Sequence, residues 1–329
     1  MRKTERARLA SRAASRGREC RAAARQLVTD SSIARTKLMI DTKFIEENIN
    51  AILNSKRKAF SIRHPWSKVP IIFLKRLHRK FKNLFTLPKL QKGKYYDHIV
   101  SRHSSLLFRK LGESDPQLQV NKIANLKIAI DKLDGLIIPS GKIFSFWDNV
   151  GEISASKGFV DGMLLSNGVV TKGLGGGLCQ LSNFLVWIFL HADIEIIERH
   201  HHSMDVFPDS GRTLPFGSGA TIYYNYVDLK IKNNLKSDLQ LKLWITDDCL
   251  KGQLLSNEAP ENKYHVVEKN HCFIRKSGKY YRYNEIFREK LINGVVIDQE
   301  KIFTNFAPVL YVVDEDKLRS LGYELIFLD

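Results

Sequence analysis

Three glycines, a leucine and a cysteine open the stretch Gly175–His191, GGGLCQLSNFLVWIFLH, and the reading of this stretch decides the fold. Glycine reaches positive φ and lets other groups come close to the backbone, whereas Leu181 to Leu190 is apolar on every side and reads as a buried helix. Cys179 then stands at a helix start, where unpaired N–H groups and the positive end of the helix dipole favour a thiolate. Two roles suit the position. Cys179 is either a small core residue at the head of a packed helix, or a nucleophile with a depressed pKa.

On both sides of this helix the texture is that of strands. Downstream, DIEIIERHHHS alternates with period two, as do ATIYYNYVDLKIKN and DLQLKLWIT, and several short strands are expected beyond Leu250. Upstream, GMLLSNGVVTKG carries an Asn167-Gly168 hairpin signal, and GLIIPSGKIFSF reads as strand, Pro-Ser-Gly turn, strand. Earlier still, SDPQLQVNKIANLKIAIDKLDG has Pro116 after a capping Asp115, apolar Ile123, Leu126, Ile130 and Leu133, and a closing Gly135. This predicts an amphipathic helix. Helices first, then a mainly antiparallel sheet enclosing one buried helix, make an α+β fold.

The charge is not evenly spread. The 329 residues carry a net +17, yet Met1–Lys110 holds 28 Lys and Arg against 7 Asp and Glu, a net +21, and the remainder is −4. A slightly acidic folded part argues against nucleic acid as a partner, and a basic arm beside an anionic surface fits better. Residues 1–36 are rich in Arg, Ala and Ser with few large apolar side chains, so a disordered basic extension is expected there. Residues 37–135 are expected to form a basic helical region and 136–329 the β-rich domain. Within the basic region, Ile72, Leu74, Leu77 and Phe81 recur at near-helical spacing. That helix either lies on anionic lipid headgroups or docks on the body with a lysine-rich face to solvent.

Four scattered cysteines make no disulfide framework, and no run reaches the length of a membrane span. With no secretory signal legible, the expectation is a cytoplasmic protein or one peripheral to the cytoplasmic membrane, extracellular only if exported by another route.

A thiol nucleophile needs a base, and ERHHHS offers His200, His201 and His202. In an extended segment His200 and His202 share one face and His201 takes the other. His200 and His202 with Cys179 would also make three zinc ligands, although a lone His-x-His is a weak metal signature, and no cofactor or metal is expected.

In order along the chain, FSFWDNVG, KGF, GGGLCQLSN, ERHHHSMDVFPDSG, PFGSGATIYYNYVDL and KNN resemble the VanW family over about His103 to Tyr311. Some members of that family are L,D-transpeptidases, which join peptidoglycan stem peptides through a cysteine acyl-enzyme. The resemblance implies Cys179 as nucleophile and His202, the histidine before Ser203, as its base. Gly175, Gly176 and Gly177 with the helix-start amides would cradle the oxyanion, and Gln180 and Arg199 are candidates to bind substrate. Many members carry an aspartate in G-x-D-A, where this chain has Gly217-Ser218-Gly219-Ala220, so an orienting role falls to Asp205 or Asp209. The partner implied is a peptidoglycan stem peptide or precursor. The alternative function is a non-catalytic accessory or binding module for such precursors or for a resistance-pathway partner.

Overall fold

The computed structural model describes residues 42–54, 64–108, 116–166, 169–201, 204–206, 208 and 214–328. The N-terminal extension, Asp115, the Asn167-Gly168 turn, His202 and Asp209 lie outside them.

Two helices come first, α1 (Thr42–Asn54) and α2 (Lys68–Thr86). Strand β1 (His98–Leu106) and helix α3 (Pro116–Leu133) follow, then β2 (Ile137–Ile138), β3 (Ile143–Ser145) and the short α4 (Phe146–Val150). The hairpin β4 (Asp161–Ser166) and β5 (Val169–Leu174) leads into α5 (Cys179–Phe189) and β6 (Ile194–Glu198). The rest is β7 (Lys230–Asn233), β8 (Leu239–Ile245), β9 (Cys249–Ser256), three long strands β10 (Lys263–Lys276), β11 (Lys279–Ile292) and β12 (Val295–Pro308), a short α6 (Glu315–Ser320) and β13 (Glu324–Phe327). The fold is α+β.

The strands form sheets in the orders β1-β9-β8-β2, β3-β7-β6, β12-β11-β10-β13 and the pair β4-β5. All ladders are antiparallel except β10 with β13. The expected hairpin β4-β5 is present, registered from Asp161 opposite Leu174 to Ser166 opposite Val169. The expected strand, turn and strand are present as β2, the turn at Gly141 and β3, without pairing to each other. Gly141 turns the chain at φ +71°, but β2 joins β8 while β3 joins β7, so the turn passes from one sheet to the other. ATIYYNYVDLKIKN is shorter as a strand than its alternation suggests: only Lys230–Asn233 is regular, and Tyr223 to Val227 close a tight turn.

Helix α5 sits at the centre of the main core, burying Leu181, Phe184, Leu185, Val186, Ile188 and Phe189. Each such side chain contributes about 1.5–3 kcal/mol. Gly252 in β9 lets the helix come close, since a Cβ there would meet the Phe184 ring at 2.9 Å. Leu107 and α3 residues Leu126, Ala129 and Leu133 belong to this same core, and β1 is a strand of its sheet. The basic helical region and the β-rich region therefore share one core. A smaller cluster joins Ile45 and Ile49 of α1 to Cys272, Ile274, Tyr281, Tyr283 and Phe306 of the C-terminal sheet. Among the described residues no helix is long and apolar enough to cross a membrane.

Candidate functional site

The glycine turn before Cys179 is required by what packs on it. Gly175 and Gly177 adopt φ +73° and +94°, conformations that favour glycine. A Cβ on Gly177 would overlap the Lys122 side chain, and one on Gly176 would fall inside the carbonyl group of Gly162 in β4. Asn125 of α3, fully buried, holds the turn in place. Its amide donates to the carbonyls of Gly176 at 2.9 Å and Val160 at 3.0 Å, and its oxygen accepts from Val160 N at 2.9 Å.

The chain then enters α5. The amides of Gln180, Leu181 and Ser182 turn back to Gly177 and Leu178 carbonyls at 3.0 to 3.1 Å. Those of Gly177, Leu178 and Cys179 have no backbone acceptor among the described residues. These three donors at the positive end of the helix are what an oxyanion would meet. The Cys179 thiol is half-buried and lies 3.9 Å from the carbonyl oxygen of Ile222. Burial pushes its pKa up, against a smaller lowering by backbone groups of Ile222 and of Cys179 itself. The expected depressed pKa is thus corrected: desolvation outweighs the helix terminus, and the resting group is a thiol.

Residues 217–222 run past the helix start as a strip. Ser182 Oγ donates to Ala220 O at 2.6 Å, and Asn183 Oδ1 accepts from Ala220 N at 2.8 Å. Arg199 braces the other side, donating through Nε to Gly219 O at 2.8 Å and through its terminal nitrogen to Gly217 O, with its guanidinium over the Phe303 ring. Burial brings its pKa down to about 10, so it stays charged at neutral pH. On the same strip Thr221 N donates to His200 O at 2.6 Å. The histidine segment therefore returns beside the head of α5, one residue from the carbonyl that faces the thiol. The Thr221 hydroxyl is buried there with no partner among the described residues.

Regular strand alternation does not extend through the histidines. β6 ends at Glu198 after a register shift between Ile196 and Glu198, so face assignments by period two stop there. His200 is exposed, with Nε2 3.2 Å from Glu198 Oε1. His201 is held below the ordinary histidine range by partial desolvation, then by the charges of Arg199 and His200. Gln180 ties α5 to β1, donating to Leu106 O at 2.8 Å and Ser105 Oγ at 3.1 Å. Asp205 is buried in the C-terminal sheet's edge, accepting from Arg282 at 3.1 Å and the Tyr311 hydroxyl at 3.0 Å.

Two groups of residues escape a reading of sequence. Lys122 and Asn125 lie at helical spacing beside the apolar stripe of α3, and that polar break in a buried arc is the signal they carry. Glu198 is the second. It binds Arg79 of α2 at 2.6 Å, accepts from Asp228 N at 3.1 Å and lies 3.7 Å from Lys230. Asp228 itself is fully buried, bonded to Ser145 Oγ at 2.6 Å and to the amides of Trp147 and Leu229. Burial first of all raises its pKa to about 6. An open groove of about 710 Å³ lies elsewhere, between β6 and β11–β12, and Cys179 is not on its wall. Among its charged residues Arg288 pairs with Glu300 at 2.5 Å, and Lys301 pairs with Glu285 at 2.9 Å.

An α+β protein with a cysteine heading a buried helix, glycine-turned and flanked by a histidine segment, is the class that fold and site define. The chain belongs to the VanW family. Residues 121–255 match the family described as VanW like protein. The chain is 34% identical over 201 residues to the Vancomycin B-type resistance protein VanW of Enterococcus faecalis, covering 60% of this chain and 72% of that one. It is 22% identical over 210 residues to the uncharacterized protein YoaR of Bacillus subtilis, covering 62% and 67%. No solved structure matches.

Proposed function

We propose that the chain is a cysteine-dependent acyltransferase of the L,D-transpeptidase type that acts on peptidoglycan stem peptides. The observation that carries this reading is the meeting of the Cys179 thiol, three amides without a backbone acceptor among the described residues, and the histidine segment across Thr221 and Ile222. The similarity to a protein named for vancomycin resistance supports a cell-wall precursor as the substrate in this reading.

In this mechanism the Cys179 sulfur attacks the carbonyl carbon of a donor peptide bond while the thiol proton passes to His202. The amides at the head of α5 receive the oxyanion. Collapse breaks the C–N bond, His202 returns the proton to the departing amine, and a thioester remains on Cys179. The amine of a second stem then attacks the thioester and gives a proton to His202. The thiolate leaves and is reprotonated. A resting thiol suits a route in which proton removal accompanies attack.

The test is intact-mass spectrometry of the protein incubated with a purified tetrapeptide-stem muropeptide. An acyl adduct is expected on the native chain and none on Cys179→Ala, with severe loss for His202→Gln and mild loss for His200→Gln. Crosslinked product formed by Cys179→Ala would overturn the assignment. The half-burial of the Cys179 thiol against the Ile222 carbonyl favours a second reading, a binding module for the same precursors. That reading expects muropeptide binding that survives Cys179→Ala, with no adduct and no turnover in either protein.

A further inference from the structure

Helix α2 docks by the edge one would expect it to show to solvent. Arg79 binds Glu198 and Tyr226 O, Arg76 donates to Tyr224 O at 3.2 Å and lies over the Tyr224 ring, and Asn83 accepts from Lys230 at 2.8 Å. Ile72 is half-buried on the same side. These positions, 72, 76, 79 and 83, are successive turns of one helix face.

The apolar side is left outward. Val69, Phe73, Leu74, Leu77, Phe81, Leu84 and Phe85 are all exposed, Val69 at 75% and Phe85 at 80%, and Trp66 just before the helix at 74%. At 100° per residue they occupy an arc of roughly 160° beside the docked face. Lys80 stands among them and Lys82 lies about 60° beyond Phe85, both exposed, whereas Lys75 turns to the body and donates to the Tyr226 hydroxyl at 3.2 Å. Nothing among the described residues covers this face, and an exposed apolar face of this size marks an interaction surface.

We propose that this face of α2 is a docking surface for a bilayer rich in anionic phospholipid. The phenylalanines and Trp66 would enter the headgroup and acyl boundary, while the lysines meet lipid phosphates. Charge selects this occupant. The first 110 residues carry +21 and the whole chain +17, so apposing two copies through α2 brings like charges together, whereas an anionic surface neutralises them. Because the lipid face and the docked face are adjacent arcs, insertion leaves the Arg79–Glu198 contact intact. The turn Tyr223–Val227 beneath α2 directly follows, in the chain, the strip beside Cys179.

The experiment is vesicle flotation of the full chain with phosphatidylglycerol–phosphatidylcholine vesicles against phosphatidylcholine alone. Phe73→Ser/Phe81→Ser/Phe85→Ser is carried in parallel, its fold checked by thermal melting and its mass in solution by light scattering. Binding to the anionic vesicles is expected, falling about tenfold or more for the triple variant and for neutral vesicles. Brominated acyl chains should quench a tryptophan signal that Trp66→Phe removes. Equal binding by the folded triple variant would assign lipid binding to the basic chain elsewhere and overturn the proposal. So would absence of vesicle binding, with or without a dimer that the triple variant dissociates, or the absence of Trp66 quenching.

Discussion

Gly162 and Gly176 meet backbone to backbone, so that a side chain on either would occupy the peptide of the other. The hairpin β4-β5 is thereby clamped against the turn that delivers Cys179, and Asn125 also bonds to the carbonyl of Gly176. Gly176→Ala should lose about 3 kcal/mol or more, because neither backbone can yield without moving the hairpin or the helix. Urea denaturation measures it, and a loss below 1 kcal/mol would show that the two segments separate easily.

Asn125 supplies three hydrogen bonds from a fully buried site. Asn125→Ala should cost about 2–4 kcal/mol, since two carbonyls and an amide lose their partner. Asn125→Asp should be worse at neutral pH, because a carboxylate oxygen would then face the carbonyls of Val160 and Gly176. Equal stability of the two variants would mean that the amide's donors matter little.

Cys179 has a raised pKa through burial, so its alkylation by iodoacetamide should still be climbing above pH 8.5, where an ordinary cysteine is half ionised. Mass spectrometry of the labelled peptide across pH 6 to 10 reads this directly. A rate already level by pH 7.5 would contradict it and restore a resting thiolate. Cys179→Ser should keep the fold and remove the labelled site.

Asp228 gives a pH dependence of defined sign. Its folded pKa of about 6 lies above the ordinary 3.8, so the folded state holds the proton more tightly than the unfolded chain. Stability from this group is therefore full below pH 4 and lost as pH rises to 6, by about 3 kcal/mol. Glu198 acts oppositely, because Arg79 holds its pKa down against the effect of burial, and its contribution fades as pH falls through the acid range. Asp228→Asn keeps the acceptor for Trp147 and Leu229 and should remove the loss between pH 4 and 6. Parallel stability curves for the two proteins would exclude Asp228 as the cause.

Much of the local structure is legible in the sequence because it rests on short-range rules. The apolar run after Cys179 is a buried helix, Pro116 and Gly135 bracket α3, and the alternation either side of Asn167-Gly168 is the hairpin β4-β5. The α+β order follows from those elements. The positive φ at Gly175 and Gly177 likewise answers a need that glycine alone meets cheaply. Tertiary structure decided the rest, since it depends on which surfaces come together. Periodicity shows that α2 has two faces but not which one docks, and that was settled by Glu198 and Lys230, more than a hundred residues away, binding Arg79 and Asn83. A helix start favours a thiolate, yet the packing around Cys179 made desolvation the larger effect. The turn at Gly141 joins two strands as read, but they belong to different sheets because β8 and β7 supplied their partners, and hydrogen-bond pairing between distant segments is invisible to a local pattern.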